Sequence, residues 1–275
     1  MGTLQGRIAI VTGAGRGIGR AIATRLAAEG ARLVLNDLDA APAEETVTAL
    51  RASGAEATAV VGDVAAPDFG ARIVGEAVDR FGGLDVVVNN AGYIWNTTVQ
   101  KTTDEQWQAM IDVHATAPFR LLRAAGEVFR AAAKREREEG CVRCRKVVNV
   151  SSISGVYGAA TQIAYSAGKA AVVGITKTLA KEWGRYNVTV NCVAFGDIAT
   201  RLTEPLAGET KTVRVHDRDL KVGLDETSLM ISEQLTPLGR RGTVEDAAGA
   251  VYLLTIPESD FVTGQVLVCS GGLAY

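Results

Sequence analysis

Apolar residues along the chain come in two alternating kinds of run. Short, unbroken runs recur: I-A-I-V (8–11), L-V-L (33–35), A-T-A-V-V (57–61), L-D-V-V-V (84–88), K-V-V-N-V (146–150), V-T-V-N-C-V (188–193) and Q-V-L-V-C (265–269). Between them lie longer, Ala-rich segments of helical period. Ile18, Ile22 and Leu26 recur every four residues, as on one helix face. Residues 41–51 read as the next helix, with Pro42 near its start and Gly54 beyond its end. Strands that are apolar throughout, rather than alternating, belong to a parallel sheet covered on both faces. Repeated strand–helix units predict an α/β fold with a doubly wound parallel sheet. Crossovers in such a sheet are right-handed. No internal repeat or linker divides the chain, so residues 1–275 are expected to form a single domain.

Two segments interrupt the rhythm. K-R-E-R-E-E-G-C-V-R-C-R-K (134–146) reads as a charged, solvated helix end and loop. The polar stretch 201–235 follows a strand and is too long for an ordinary connection, which makes it a candidate substrate lid.

Composition narrows the class. Apolar residues make up 47% of the 275, enough for a sizeable core. With 29 basic and 31 acidic residues the net charge is −2, which argues against a nucleic-acid or membrane partner. No apolar run is long enough to cross a bilayer, and the start M-G-T-L-Q-G-R lacks a secretory stretch. A soluble, cytoplasmic protein is expected. Cys141 and Cys144 form a C-x-x-C, but no second pair or His pair completes a zinc site. No metal is expected, and the four cysteines read as reduced thiols.

Candidate chemistry sits in two places. Tyr165 and Lys169 are four residues apart in Y-S-A-G-K, on one face of a helix, with Ser152 thirteen residues upstream of Tyr165. An ammonium beside a phenol favours the phenolate and lowers its pKa. A serine hydroxyl could hold the oxygen that gains or loses charge. This is acid–base apparatus for an alcohol–carbonyl pair. By itself the pair has a plain alternative, a chance coincidence of common helix residues.

The second place is T-G-A-G-R-G-I-G (12–19), between the first strand and the first helix. Gly13, Gly17 and Gly19 are spaced G-x-x-x-G-x-G and not as the usual G-x-G-x-x-G, because position 18 is Ile. The physics carries over: backbone can approach a pyrophosphate, whose charge a helix N-terminus favours. The next strand runs into Asp37 and Leu38. A carboxylate there meets the ribose hydroxyls and repels a 2′-phosphate, so NAD is expected rather than NADP. Arg16 is a counter-signal, since it could pair with that phosphate.

These motifs, with D-V (63–64), N-N-A-G (89–92), S-S-I-S-G (151–155), G-D-I-A-T (196–200) and the ending V-T-G-Q-V-L-V-C-S-G-G, resemble those of the classical short-chain dehydrogenase/reductase (SDR) family. The likeness covers essentially the whole chain and is nearest to 3-oxoacyl-[acyl-carrier-protein] reductases. It implies a Rossmann-like sheet of about seven strands, assembled as a homotetramer or homodimer. It implies Tyr165 as general acid/base, Lys169 on Tyr165 and the nicotinamide ribose, and Ser152 on the substrate oxygen. Asp63 and Val64 would flank adenine. Asn90, Ala91 and Gly92 would line the cofactor cleft, with Gly196, Ile198 and Thr200 near the nicotinamide.

Three positions depart from the family pattern. His114, in V-H-A-T-A, stands where the family has a catalytic Asn that holds a relay water. A neutral imidazole also donates and accepts hydrogen bonds, so the relay could persist with altered pH behaviour, or be absent. Phe195 replaces the Pro of N-x-x-x-P-G and could narrow the pocket beside the nicotinamide. Ser270 replaces the Asp of a closing D-G-G, a local structural change. The expected activity is NAD(H)-dependent interconversion of a secondary alcohol and a ketone, of the 3-oxoacyl ketoreductase kind. A hydroxysteroid or small secondary-alcohol dehydrogenase is the alternative. Outside enzymes, the alternative is a nucleotide-binding sensor without turnover. Arg201, Lys211, Arg214, Arg218 and Lys221 in the lid could meet an acidic carrier or a CoA phosphate, although acidic residues intersperse them.

Overall fold

A computed structural model of the chain describes residues 2–200, 211–215, 218–223 and 226–273. Seven strands form one parallel sheet: β1 (Ile8–Val11), β2 (Arg32–Leu35), β3 (Ala57–Ala59), β4 (Val86–Asn89), β5 (Arg145–Ser152), β6 (Val188–Phe195) and β9 (Val266–Cys269). Their order is β3-β2-β1-β4-β5-β6-β9. All seven unbroken runs of the sequence are strands here. Their limits moved where local bonding ends the ladder. β3 stops at Ala59, and β5 and β6 run on to Ser152 and Phe195, which pair in register.

Inside each apolar run the side chains still alternate between two cores. Ala9, Val11, Leu33, Leu35, Val86 and Val88 point into one, with Ile22 and Leu26 of α1 (Gly17–Ala28) and Val251 of α9 (Val244–Leu253). Ile8, Ile10, Val34 and Val87 point into the other. There they meet Ile73 and Val74 of α3 (Phe69–Phe81), Leu121, Leu122 and Phe129 of α5 (Ala117–Glu138), and Trp183 of α7 (Ile163–Trp183). A sheet sandwiched this way has no solvent face, which is why the runs show no regular alternation of apolar and polar residues. α2 (Ala40–Ala52) packs beside β3, and α4 (Asp104–Ile111) and the short α6 (Ile153–Tyr157) pack against α7.

A polar ladder crosses the second core. Asn89 Nδ2 donates to Asn149 Oδ1 at 2.8 Å, Asn149 Nδ2 to Thr176 Oγ1 at 2.9 Å, and Thr176 Oγ1 to the Val172 carbonyl at 2.8 Å. Asn149 and Thr176 are fully buried, so each amide and hydroxyl must find a partner there, and each does. The ladder links β4, β5 and α7.

Two expectations need correcting. The charged segment 134–146 is only partly solvated. α5 continues through it to Glu138, and Arg145 and Lys146 are buried as the first residues of β5. The Arg145 guanidinium is held by both Glu136 oxygens, and Lys146 Nζ pairs with Asp260 at 2.6 Å. A buried cation with a matched carboxylate reads from sequence like any surface charge. In the same segment Cys141 is exposed and Cys144 buried, neither in a disulfide, and burial pushes the Cys144 thiol up to about 11.

The stretch 201–235 is not simply a polar connection. Within it β7 (Lys211–Val215) and β8 (Arg218–Val222) pair antiparallel, Lys211 opposite Val222, and α8 (Glu226–Leu235) follows. K-T-V-R-V and R-D-L-K-V alternate apolar and polar positions, the period-two pattern of half-covered strands. Arg201 lies outside the described residues, as do the side chains of Lys211, Arg214, Arg218 and Lys221.

Candidate active site

The strand order reverses between β1 and β4, and an open α/β sheet binds its ligand in the crevice at that point. A cleft of 410 Å³ opens there, at the carboxyl ends of the strands. It is bordered by every residue that the sequence assigned to cofactor or catalysis except His114.

The glycine loop forms one wall. Gly13 has φ +63°, and a Cβ there would lie 2.8 Å from Ala91 Cα. A Cβ at Gly19 would lie 2.0 Å from the Gly13 carbonyl oxygen and 2.6 Å from Asn90 Nδ2. The loop is therefore folded back on the N-N-A-G turn, with no room for a side chain at Gly13 or Gly19. At the start of α1, Arg16 supplies no side-chain cap and the first turn holds no acidic residue. Unpaired backbone N–H groups at a helix start suit an anion, which fits a dinucleotide's pyrophosphate.

At the adenosine end, Asp37 is fixed. Its Oδ2 accepts from the Gly15 N–H at 2.9 Å and its Oδ1 from the Asp39 N–H at 3.2 Å. Arg16 pairs with Asp39 at 2.8 Å, both half-exposed. Asp63 accepts from the Ala65 N–H at 2.8 Å and borders the cleft beside Val64.

Three polar residues that the sequence reading passed over shape this wall. Thr12 Oγ1 accepts from the N–H groups of Asn90 and Ala91, each at 3.0 Å. Asn36, 1% exposed, donates to the carbonyls of Asp37, Val60 and Gly62 and accepts from the Gly13 N–H. Thr46 Oγ1 donates to the Gly15 carbonyl at 3.2 Å. A polar residue at the carboxyl end of a buried strand was the available signal for Thr12 and Asn36.

Across the cleft, β5 ends at Ser152, and α7 carries Tyr165 and Lys169 on adjacent turns. The Ser152 hydroxyl accepts from the Ser154 N–H at 3.2 Å, starting α6, and hydrogen-bonds Tyr165. Ser151 Oγ donates to the Lys169 carbonyl at 2.8 Å, tying α7 to β5. The expected electrostatics are reversed here. Burial pushes the Tyr165 phenol above its ordinary range, with the Ser152 hydrogen bond opposing this. Lys169 makes its hydrogen bond to backbone. Its Nζ donates to the Val150 carbonyl at 2.9 Å and lies 5.8 Å from the Tyr165 ring centre. Burial pushes the ammonium down to about 8, with Cys192 opposing. Desolvation outweighs the opposing hydrogen bond at Tyr165 and the opposing charge at Lys169.

His114 lies behind the cleft in a π-helical turn, Asp112–Thr116, that joins α4 to α5. Its Nε2 is 2.8 Å from the Tyr93 carbonyl. A carbonyl only accepts, so that contact assigns the proton to Nε2. Nδ1 is buried without a hydrogen-bond partner. The ring meets Tyr165 edge-on, with centres 5.1 Å apart, and fills the space beneath Gly92. Burial first, and the Lys169 charge second, hold its pKa well below the usual histidine range.

Phe195 does not stand out into the cleft. It is 5% exposed and packs in the core, forming floor rather than gate. Ser270 lies under Gly196, where a Cβ would be 2.7 Å from its own.

Similarity to known proteins follows this geometry. A family model described as short chain dehydrogenase matches residues 7–211. The chain is 36% identical to a 3-oxoacyl-[acyl-carrier-protein] reductase of Synechocystis sp., over 99% of both chains. Its fold is similar to that of a variant Serratia marcescens short-chain dehydrogenase/reductase, with TM-score 0.83 and 27% identity over 99% of this chain and 100% of that one. It is also similar to a blue fluorescent protein from a metagenomic library in complex with NADPH, with TM-score 0.81 and 30% identity at the same coverage.

Proposed function

The chain belongs to the short-chain dehydrogenase family, and on that footing we propose that it interconverts a ketone and a secondary alcohol with NAD(H), acting on 3-oxoacyl thioesters or close relatives. The observation that carries this is the half-buried Tyr165 phenol, hydrogen-bonded to Ser152 and one helical turn from Lys169, on the wall of a glycine-walled cleft. A nicotinamide cofactor supplies or takes the hydride when bound. Gly13, the start of α1, and Asp37 would hold its pyrophosphate and ribose; Ile198 and Thr200 would meet its amide. In reduction, Tyr165 gives its proton to the carbonyl oxygen as that oxygen becomes a hydroxyl, and in oxidation takes it back. A phenol is protonated at neutral pH and so is ready as the acid. Ser152 holds the same oxygen. Lys169 favours the phenolate left behind once it turns from Val150 towards it. The test is oxidation of NADH or NADPH, followed by absorbance, against a panel of acyl thioesters, steroid ketones and small keto esters. A homotetramer or homodimer belongs to the same proposal, with Trp107 and Phe119 exposed on α4 and α5, and light scattering measures it.

The second reading of the cofactor is NADP(H), because one similar structure holds NADPH and Arg16 stands at the cleft. Two features support NAD(H): Asp37 is fixed with its carboxylate at the ribose end, and Arg16 is committed to Asp39. The expected result is a kcat/KM at least about tenfold higher for NADH, since an unpaired like charge is costly to bring in. Asp37→Ala should narrow that ratio. Equal or better use of NADPH by the wild type overturns the assignment.

His114 is proposed as part of the proton relay behind Tyr165. Its bare Nδ1 acceptor is suited to a bridging water. The charged and titratable groups facing it are Lys169 and Tyr165 of α7, with Tyr93 on the loop after β4. Because its pKa is depressed, the neutral form is intact at pH 7 and is lost only as pH falls through that lowered value, below the ordinary histidine range. His114→Asn should keep activity near neutral pH and lose less of it in acid. His114→Ala should lose about tenfold in kcat at every pH. An alanine variant with the wild-type pH–kcat profile places His114 outside the relay.

A further inference from the structure

Asp197 stands between Gly196 and Ile198, which border the cleft, yet it does not border the cleft itself. Its carboxylate holds three elements together. Arg241 donates to it through Nε at 2.9 Å and Nη2 at 2.7 Å, a two-point contact, and Ser232 of α8 donates through Oγ at 2.7 Å. The ion pair is nearly buried, with side chains 12% and 11% exposed. Backbone bonds reinforce the join: the Gly242 N–H donates to the Asp197 carbonyl at 3.0 Å, and the Ala199 N–H to the Gly242 carbonyl at 2.8 Å. The Ile198 Cδ1 occupies the space of a Gly242 Cβ, 2.4 Å away. By contrast, α8 leaves Met230, Ile231 and Leu235 exposed, so apolar burial does little to hold it. A two-point guanidinium contact in low dielectric is geometrically strict, so its ends move together.

We propose that Asp197 is a positioning residue that links α8 to the Ile198–Thr200 loop, so that cofactor binding and carbonyl-substrate binding are coupled. This rests on the reading of that loop as the nicotinamide side of the site and of 201–235, which α8 ends, as the substrate lid. Ordering the loop around a cofactor sets Asp197, and Asp197 sets the placement of α8 at the end of the segment that follows β6. Such coupling is reciprocal: a substrate-side ligand that orders α8 tightens cofactor binding by the same factor.

The test measures that factor. NADH affinity is followed by protein fluorescence with and without 3-hydroxybutyryl-CoA, and KM for acetoacetyl-CoA is measured alongside. In the wild type, 3-hydroxybutyryl-CoA should tighten NADH binding by about tenfold. Asp197→Asn should abolish that gain and raise KM by a similar factor, with NADH affinity alone and kcat changed by less than about threefold. Arg241→Met should reproduce this, and the double variant should be no worse than either single one. Ser232→Ala, which removes only the α8 arm and threatens folding least, should lose most of the gain. Variants that lower Tm but keep the gain and the KM of the wild type overturn the proposal. So does a wild type that binds NADH and shows no gain. A wild type that binds neither NADH nor NADPH defeats the reading of the site as well.

Discussion

Tyr165→Phe is expected to lower kcat by roughly a thousandfold while the cofactor Kd stays within about threefold of wild type. The ring stays in place, edge-on to His114, and only the oxygen is removed. That oxygen contacts Ser152 and is the proposed proton source, while Lys169 donates to the Val150 carbonyl. Stability should change little, since one buried hydroxyl and its hydrogen bond contribute about 1 kcal/mol net. Single-turnover mixing of enzyme-bound NADH with acetoacetyl-CoA measures the chemical step directly. A variant that keeps a tenth of the wild-type rate shows that Tyr165 is not the acid.

Gly19→Ala carries the largest expected effect on binding and stability. Its Cβ would sit 2.0 Å from the Gly13 carbonyl oxygen, and the atoms in the way are backbone and a bonded amide, not a flexible side-chain end. Asn90 Nδ2, 2.6 Å from the added carbon, already donates to the carbonyls of Thr12 and Gly13. The loop must therefore move off the N-N-A-G turn. Overpacking of this kind costs about 3 kcal/mol, or roughly 6–12 °C in Tm. A displacement of about 1 Å in the wall should raise the cofactor Kd about a hundredfold. Gly75→Ala is the control. It lies in α3 with open space around its Cβ and should be neutral or slightly stabilising. Unchanged cofactor affinity in Gly19→Ala means that the loop does not hold the pyrophosphate.

The fold was readable because burial on both faces leaves a mark on composition: a strand with no solvent side has no regular polar alternation, and its few polar residues are bonded inside the core. The cofactor wall was readable for a related reason, since a backbone that must touch a ligand or another backbone excludes side chains, as at Gly13 and Gly19. What escaped the sequence was compensation between distant residues. Arg145 looks solvated until Glu136 is seen beside it, and Asp197 looks like a loop acid until Arg241 and Ser232 close on it. Nothing in V-H-A-T-A signals a π-helical turn, because that bonding depends on how α4 and α5 meet α7. The direction of the Tyr165 shift was misjudged because spacing along a helix reports which groups are near. It does not report how dry their surroundings are, and at Tyr165 and Lys169 dryness prevails.

The polar ladder from Asn89 through Asn149 to Thr176 bears on how such a protein changes over generations. It sets the distance between the N-N-A-G turn and the helix bearing Tyr165 from inside the core, beneath the strand ends. The loop after β4 adds its own tie, since the Thr97 N–H donates to the Thr161 carbonyl just before α7, but the segment after β6 is not part of the ladder. Mutation can therefore rewrite the segment after β6 for a new ketone without breaking the bonds that place the acid. A change at Asn149, far from any substrate, should instead impair every substrate alike.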